Sequence, residues 1–333
     1  MEYFKEHESL KSTGIGDSTM LGIVVPKHGY SIKVTGAGFD GHVEFTSPSA
    51  KMLIDKIRAV DENDAKNSKA LFREFKPVLS SILSENTGEI NLIGDEAKGI
   101  VGINVNTTQD IITGKIKGTK DKLVGAFFKN SNPVTIKNTN IKLGTNAKGL
   151  VFDTTNFTVT SSSGKNEVKV ARTTDNANRA IGIAALGSTG TIANTNVIVG
   201  SKTASGSASG DLKQSMGLYV NNGGVLTFDS TNGELKSAGG ETILAYADNG
   251  TINLNGGRTL QVGANSIAIG TNGGTVNADT TTQIQVNGSG GIGAYIKNGN
   301  VSNNFDVKVN NASGRGVYAT GTIGSLAKVS DIK

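Results

Sequence analysis

Apolar positions along most of this 333-residue chain recur in short two-residue alternations rather than at helical spacing. VTIKN (134–138), NIKLG (140–144), TINLN (251–255) and FDVKV (305–309) each place apolar and polar residues on opposite faces of an extended strand. Gly and Asn close nearly every such stretch, which predicts tight turns between short strands.

The alternations are copies of one another. MGLYVNNGGV (216–225) lies over IGAYIKNGNV (292–301), with Gly217 on Gly293, Tyr219 on Tyr295 and Asn222 on Asn298. ILAYADNGTI (243–252) brings Tyr246 into the same register, and VGAFFKNSN (124–132) puts Phe127 there. VGINVN (101–106), AIGIAALGSTGTI (180–192), SIAIGTNGGTV (266–276) and GVYATGTI (316–323) are weaker copies, and MLGIVVPKHGYSIKV (20–34) reads as an early one. A glycine column through Gly190, Gly223, Gly250, Gly274, Gly299 and Gly321 has intervals of 33, 27, 24, 25 and 22 residues. Each unit holds two or three alternating stretches and no helical half. That pattern describes an all-β solenoid, a parallel β-helix with one coil per repeat. About eleven coils at ~4.8 Å each predict a rod on the order of 50 Å long.

Strict alternation would assign the faces. Ile292, Ala294 and Ile296 point to the core, as do Met216, Leu218 and Val220, Ile243, Ala245 and Ala247, and Val124, Ala126 and Phe128. Tyr219, Tyr246, Tyr295, Tyr318 and Phe127 then stand outside as a column. Such a column serves as a cross-strand ladder or as a surface that stacks sugars and side chains. The Asn-Gly pairs read as left-handed corner residues.

Two segments break the repeat. Residues 47–86 contain no Gly and are rich in Lys, Glu, Asp, Leu and Ala. Ser47-Pro48 is a helix start, Leu53, Ile57 and Val60 follow helical spacing, a second helix is predicted from about Asp64 to Phe75, and Pro77 opens a third carrying Val78, Leu79, Ile82 and Leu83. SKTASGSASGDLKQ (201–214) reads as a loop insertion. The organisation is therefore 1–46, an N-terminal segment with the first coils; 47–86, a helical insertion subdomain; and 87–333, the parallel β-helix. Ordered insertions on rigid scaffolds commonly bind partners, which makes Leu53, Ile57, Lys69, Arg73 and Phe75 candidate binding residues beside Tyr219, Tyr246 and Tyr295.

Composition narrows the chemistry. The chain has no Cys, so disulfides and thiolate metal sites are excluded. A net charge of +5 spread over this length gives no support to nucleic-acid binding. Asp153, Asp175, Asp229, Asp248, Asp279 and Asp306 stand singly, whereas a β-helical polysaccharide lyase or hydrolase requires converging carboxylates. His7, His28 and His42 show no metal-ligand spacing, and GSGGIG (288–293) is followed by no helix that could receive a phosphate. The expectation is a chain without catalytic, metal or cofactor residues.

The recurring G-[IL]-x-[AY]-Y-x-x-N-G units followed by Thr/Asn-rich strands resemble passenger domains of bacterial type V autotransporters, most closely the very long fusobacterial outer-membrane adhesins. The resemblance covers residues 90–333 well and 14–46 weakly. It implies a right-handed parallel β-helix on a bacterial surface that attaches cells to host or bacterial protein or glycan. It carries over no site residues, because adhesive positions in that family follow no shared motif. With no apolar leader and no membrane barrel in the sequence, the chain reads as an internal passenger fragment, tied to a membrane only through a barrel elsewhere in its parent. The alternatives are a carbohydrate-active β-helix enzyme and a structural spacer that self-associates.

Overall fold

A computed structural model describes residues 89–323, apart from 106–109, 113, 132, 163, 175–177, 201–213 and 303–304, and the backbone of strands 22–24, 31–36 and 39–44. The expected helical insertion at 47–86 and all but Gln214 of the expected loop insertion at 201–214 lie outside the described residues.

The described chain is a parallel β-helix of about eight turns with three strands per coil. The first face comprises Lys98–Ile103, Val124–Lys129, Lys148–Asp153, Ile181–Leu186, Ser215–Asn221, Thr242–Asp248, Ile267–Asn272, Ile292–Lys297 and Arg315–Thr320, joined into one nine-stranded sheet. The second face runs from Ile111–Ile112 through Val134–Lys137, Phe157–Thr160, Thr189–Ile192, Val225–Asp229, Thr251–Asn255 and Thr275–Ala278 to Asn300–Ser302. The third begins at Glu89–Leu92 and continues through Lys115–Gly118, Asn140–Leu143, Asn166–Val170, Thr195–Val199 and Glu234–Ser237. It resumes as a separate sheet of Thr259–Val262, Gln283–Val286 and Asp306–Val309.

Eight turns give a stack of about 40 Å, shorter than the eleven-coil rod expected from the repeats. Part of the difference is N-terminal. Strands Gly22–Val24, Ser31–Gly36 and Phe39–Glu44 pair antiparallel, and the last pairs antiparallel with Glu89–Leu92. They continue the third face beyond its N-terminal edge without adding a coil, and so cover that edge.

Left-handed residues turn each corner after a first-face strand: Asn104, Asn130, Thr154, Gly187, Asn222, Asn249, Gly273, Asn298 and Gly321 all have φ between 47° and 79°, and Gly223 adds a second one, at 74°, after Asn222. Asn and Gly populate that region at least cost, which explains the Asn-Gly rhythm. The Gly of the pair has a different task. The real column is Gly224, Gly250, Gly274 and Gly299, with Ser188 one coil before, as the ladder Val225 N→Ser188 O, Thr251 N→Gly224 O, Thr275 N→Gly250 O and Asn300 N→Gly274 O shows. A Cβ on Gly299 would lie 2.6 Å from the Gly274 carbonyl oxygen, so close approach of successive coils excludes a side chain. Gly190, Gly223 and Gly321 belong to other columns, a correction of the sequence alignment. In the earlier coils hydroxyls replace this glycine column. Val105 N donates to Ser131 Oγ, Ser131 N to Thr155 Oγ1 and Thr155 N to Ser188 Oγ, which satisfies backbone donors at the corner.

A second correction concerns the core. Alternation slips at the second position of each first-face strand. Gly99, Gly125, Gly149, Gly182, Gly217 and Gly293 point inward beside the residue that follows them, and the pairing passes from Lys148↔Ile181 to Leu150↔Ile183 with Gly149 and Gly182 skipped. A Cβ would fall 2.5 Å from the next coil's carbonyl oxygen at Gly125 and 2.6 Å at Gly182. The slip leaves Ala294 and Ile296 in the core, with Leu218 and Val220, Ala245 and Ala247, and Ala126 and Phe128. Val124, Met216, Ile243 and Ile292, expected inside, turn outward instead.

The glycine column changes at Leu244 and Ala268, both within the core at 1% and 0% exposure. In the other coils the inward glycine touches a third-face side chain, such as Val197 at Gly182 and Leu235 at Gly217. A leucine at that spot needs the room that the glycine leaves to the third-face strand of its own coil. That coil's strand is Thr259–Val262, where the third sheet is interrupted. Elsewhere glycine makes room for rings: Phe152 stacks on Phe157 at 3.8 Å and lies 6.0 Å from Phe128, while Gly102 and Gly190 face Phe128 and Phe157.

Candidate functional site: the outer aromatic strip

The phase slip places two neighbouring columns on the outside of the first face. The first runs Lys98, Val124, Lys148, Ile181, Met216, Ile243, Ile267, Ile292, Arg315. The second runs Val101, Phe127, Val151, Ala184, Tyr219, Tyr246, Gly270, Tyr295, Tyr318. Their apolar members from Val124 and Phe127 to Ile292 and Tyr295, together with Leu186, form a cluster separate from the β-helix core. Charged residues close the first column at both ends, as its outward direction requires.

The strip is covered in its middle and opens at its C-terminal end. Ile243 is 0% exposed and Tyr246 7%, Tyr219 and Tyr295 are half-buried, and Tyr318 is 44% exposed. Tyr219 and Tyr246 stack at 6.2 Å and 9°, Tyr295 and Tyr318 at 5.6 Å and 8°. Gly270 separates the two pairs. The Tyr246 ring fills its place, since a Cβ there would lie 2.7 Å from Tyr246 Cδ2. The Arg315 guanidinium sits 5.8 Å from the Tyr318 ring centre, a cation–π contact.

A polar rim runs along one side. The Tyr219 hydroxyl donates to Asp248 Oδ2 at 3.3 Å and accepts from Asn221 Nδ2 at 3.2 Å, and Asn272 Nδ2 donates to Asp248 Oδ1 at 2.9 Å. Burial, reinforced by the Asp248 charge, raises the Tyr219 phenol above its ordinary value. The same two causes, burial first, push Tyr246 up to about 12. Arg179 lies close enough that its charge opposes both shifts. Lys148, flanked in its column by Val124 and Ile181, is pushed down by burial. At the other edge Gln214 Nε2 donates to Asn265 O at 3.1 Å, bridging across the intervening coil.

Of the sequence-predicted binding residues, Tyr219, Tyr246 and Tyr295 share this strip, and Leu53, Ile57, Lys69, Arg73 and Phe75 lie outside the described residues. Strict alternation missed Met216, Ile243, Ile267 and Ile292 as outward partners of the tyrosines, and it missed Arg315. The signal that reveals them is Lys98, Lys148 and Arg315 at the aligned position, since an unpaired charge does not enter a β-helix core. Among the described residues no group of three or more His, Asp or Glu is arranged to hold a metal ion. No helix there is long and apolar enough to cross a membrane. Comparison with protein-family models, curated proteins and solved structures finds no match in any of the three.

Proposed function

We propose that the chain is a non-enzymatic adhesive segment of a bacterial surface protein, the β-helix serving as a stiff scaffold and the partner being a protein or glycan on a host or bacterial cell. The parent protein then resembles an autotransporter, anchored in the membrane through a β-barrel. The observation that supports the reading is the outer strip. An apolar column on the outside of a β-helix contributes nothing to the core, and its open end presents stacked Tyr295 and Tyr318 beside Arg315. Exposed aromatic and Arg side chains are the residue types that dominate protein and glycan contacts. The covered tyrosines, Tyr246 above all, act as the structural ladder, so the strip divides into a buried supporting part and an open contacting part.

The test is adherence of beads coated with the chain to epithelial and bacterial cells. Tyr295→Ala with Tyr318→Ala lowers adherence at least several-fold if the open end makes contact. Deletion of 47–86 reports separately on the helical insertion. Adherence unchanged by both alterations contradicts the adhesive reading and favours a structural spacer.

A further inference from the structure

The three outer faces differ in charge. The third face places Glu89, Lys115, Lys117, Lys142, Glu167, Lys169, Glu234 and Lys236 outward, with ion pairs Lys117–Glu89 and Lys142–Glu167 between coils. The second face instead carries a neutral band. One of its outward columns runs in register through Thr135, Thr158, Thr191, Thr227, Asn253 and Asn277, and the adjacent one through Thr189, Val225, Thr251, Thr275 and Asn300. None of these positions is charged, although charged residues make up 18% of the chain. Charges return at the margins: Lys137, Asp229 and Asp279 on one side, and Lys129, Asp153, Asp248 and Lys297 beyond the corner on the other.

We infer that this band is a lateral contact surface for a second copy of the chain. Surfaces that stay monomeric intersperse charges of both signs, and a regular neutral patch lacks that protection against association. Here the neutral face is also pre-ordered. Asn253 Nδ2 donates to Thr227 Oγ1 at 3.3 Å, Asn277 Nδ2 to Asn253 Oδ1 at 2.8 Å and Asn300 Nδ2 to Thr275 Oγ1 at 3.4 Å. Side chains held in rows lose little rotamer freedom on contact. Two copies share the same ~4.8 Å row spacing, so Thr methyls and Asn amides of one band fit between rows of the other, as in stacked cross-β sheets. A second copy meets no charge, whereas a charged partner would leave its own ions unpaired.

Six rows of about 10 Å width cover roughly 300 Å² per copy, well below the ~800 Å² per partner of a stable complex. A single pair is therefore weak and reversible, and association strengthens where many copies are arrayed on one surface. The inference stands independently of the adhesive reading, since a spacer could use the same face.

Sedimentation velocity of the chain over a wide concentration series tests it. The expected result is reversible, concentration-dependent association that Thr191→Lys with Thr227→Lys weakens about tenfold or more through facing like charges. The third-face pair Gln261→Lys with Gln285→Lys adds the same charge and leaves association unchanged, and circular dichroism confirms that both variants fold. A monomer at every concentration overturns the inference. So does association that survives the second-face lysines, or that falls equally with the third-face pair.

Discussion

Gly182→Ala tests the phase slip, because packing and backbone entropy oppose each other in sign at this position. Gly182 has no left-handed φ, so alanine can adopt its backbone conformation. In open space the substitution would stabilise the chain by about 0.4–1 kcal/mol, through reduced freedom of the unfolded state. The structure places the new Cβ 2.6 Å from the Gly217 carbonyl oxygen and 2.6 Å from Val197 Cγ1. Neither neighbour is the free end of a long side chain, so the coil or the third-face strand must move by about 0.8 Å in a close-packed interior. Overpacking of that kind costs about 1–3 kcal/mol. The net expectation is destabilisation of about 1–2 kcal/mol, read as a lower midpoint in guanidinium unfolding followed by circular dichroism. Ala268 occupies the same column with its methyl already accommodated, so Ala268→Gly also destabilises, by about 1 kcal/mol or more. A Gly182→Ala chain more stable than its parent would refute the inward glycine column and the face assignment built on it.

Phe152→Ala removes the central ring of the Phe128–Phe152–Phe157 stack, all three buried; the same unfolding assay should report a loss of about 3–5 kcal/mol, and a loss under 1 kcal/mol would contradict that packing. Tyr246 links stability to alkaline pH. Its folded pKa of about 12 exceeds the ordinary 10.0, so its protonated form is favoured by folding. The contribution is fully present below pH 10 and is lost as pH rises through about 12. Over that window it amounts to roughly 2–3 kcal/mol. Tyr246→Phe should flatten this part of the pH dependence, and phenolate absorbance in the parent should show a late-titrating component that Tyr246→Phe diminishes.

The repeat, the parallel coils and the Asn corners were legible because each depends on a local residue preference: period-two burial for strands, and low cost at positive φ for Asn and Gly. The register of Tyr219 on Tyr246 and of Tyr295 on Tyr318 was legible for the same reason, since identical residues align identical turns. The inward direction of Gly182 and Gly217 was not. A glycine between two apolar residues looks like the small, outward member of an alternation, and only the carbonyl oxygen of the next coil shows why it lacks a side chain. That single misreading moved Met216, Ile243 and Ile292 into the core and hid the apolar strip. The glycine column erred by one residue at Gly223, where Gly223-Gly224 supplies both a left-handed turn and a close approach that Asn249-Gly250 divides between two residue types. The neutral second face was visible as Thr/Asn-rich strands, but its contrast with the lysines of the third face emerges only when the coils are stacked.

The stacking register underlies every face assigned here, and a chain with no Cys permits a clean test of it. Thr158 and Thr191 are partners in adjacent coils, and Thr227 lies one coil further. Partners in adjacent coils lie ~4.8 Å apart, within the 4.4–6.8 Å Cα range of a disulfide, and residues two coils apart lie at about 9.6 Å, outside it. Under mild oxidation of dilute chain, Thr158→Cys with Thr191→Cys should close an intramolecular disulfide, while Thr158→Cys with Thr227→Cys should keep two free thiols. Failure of the first pair to close, or closure of the second within one chain, would contradict the parallel β-helix in this register.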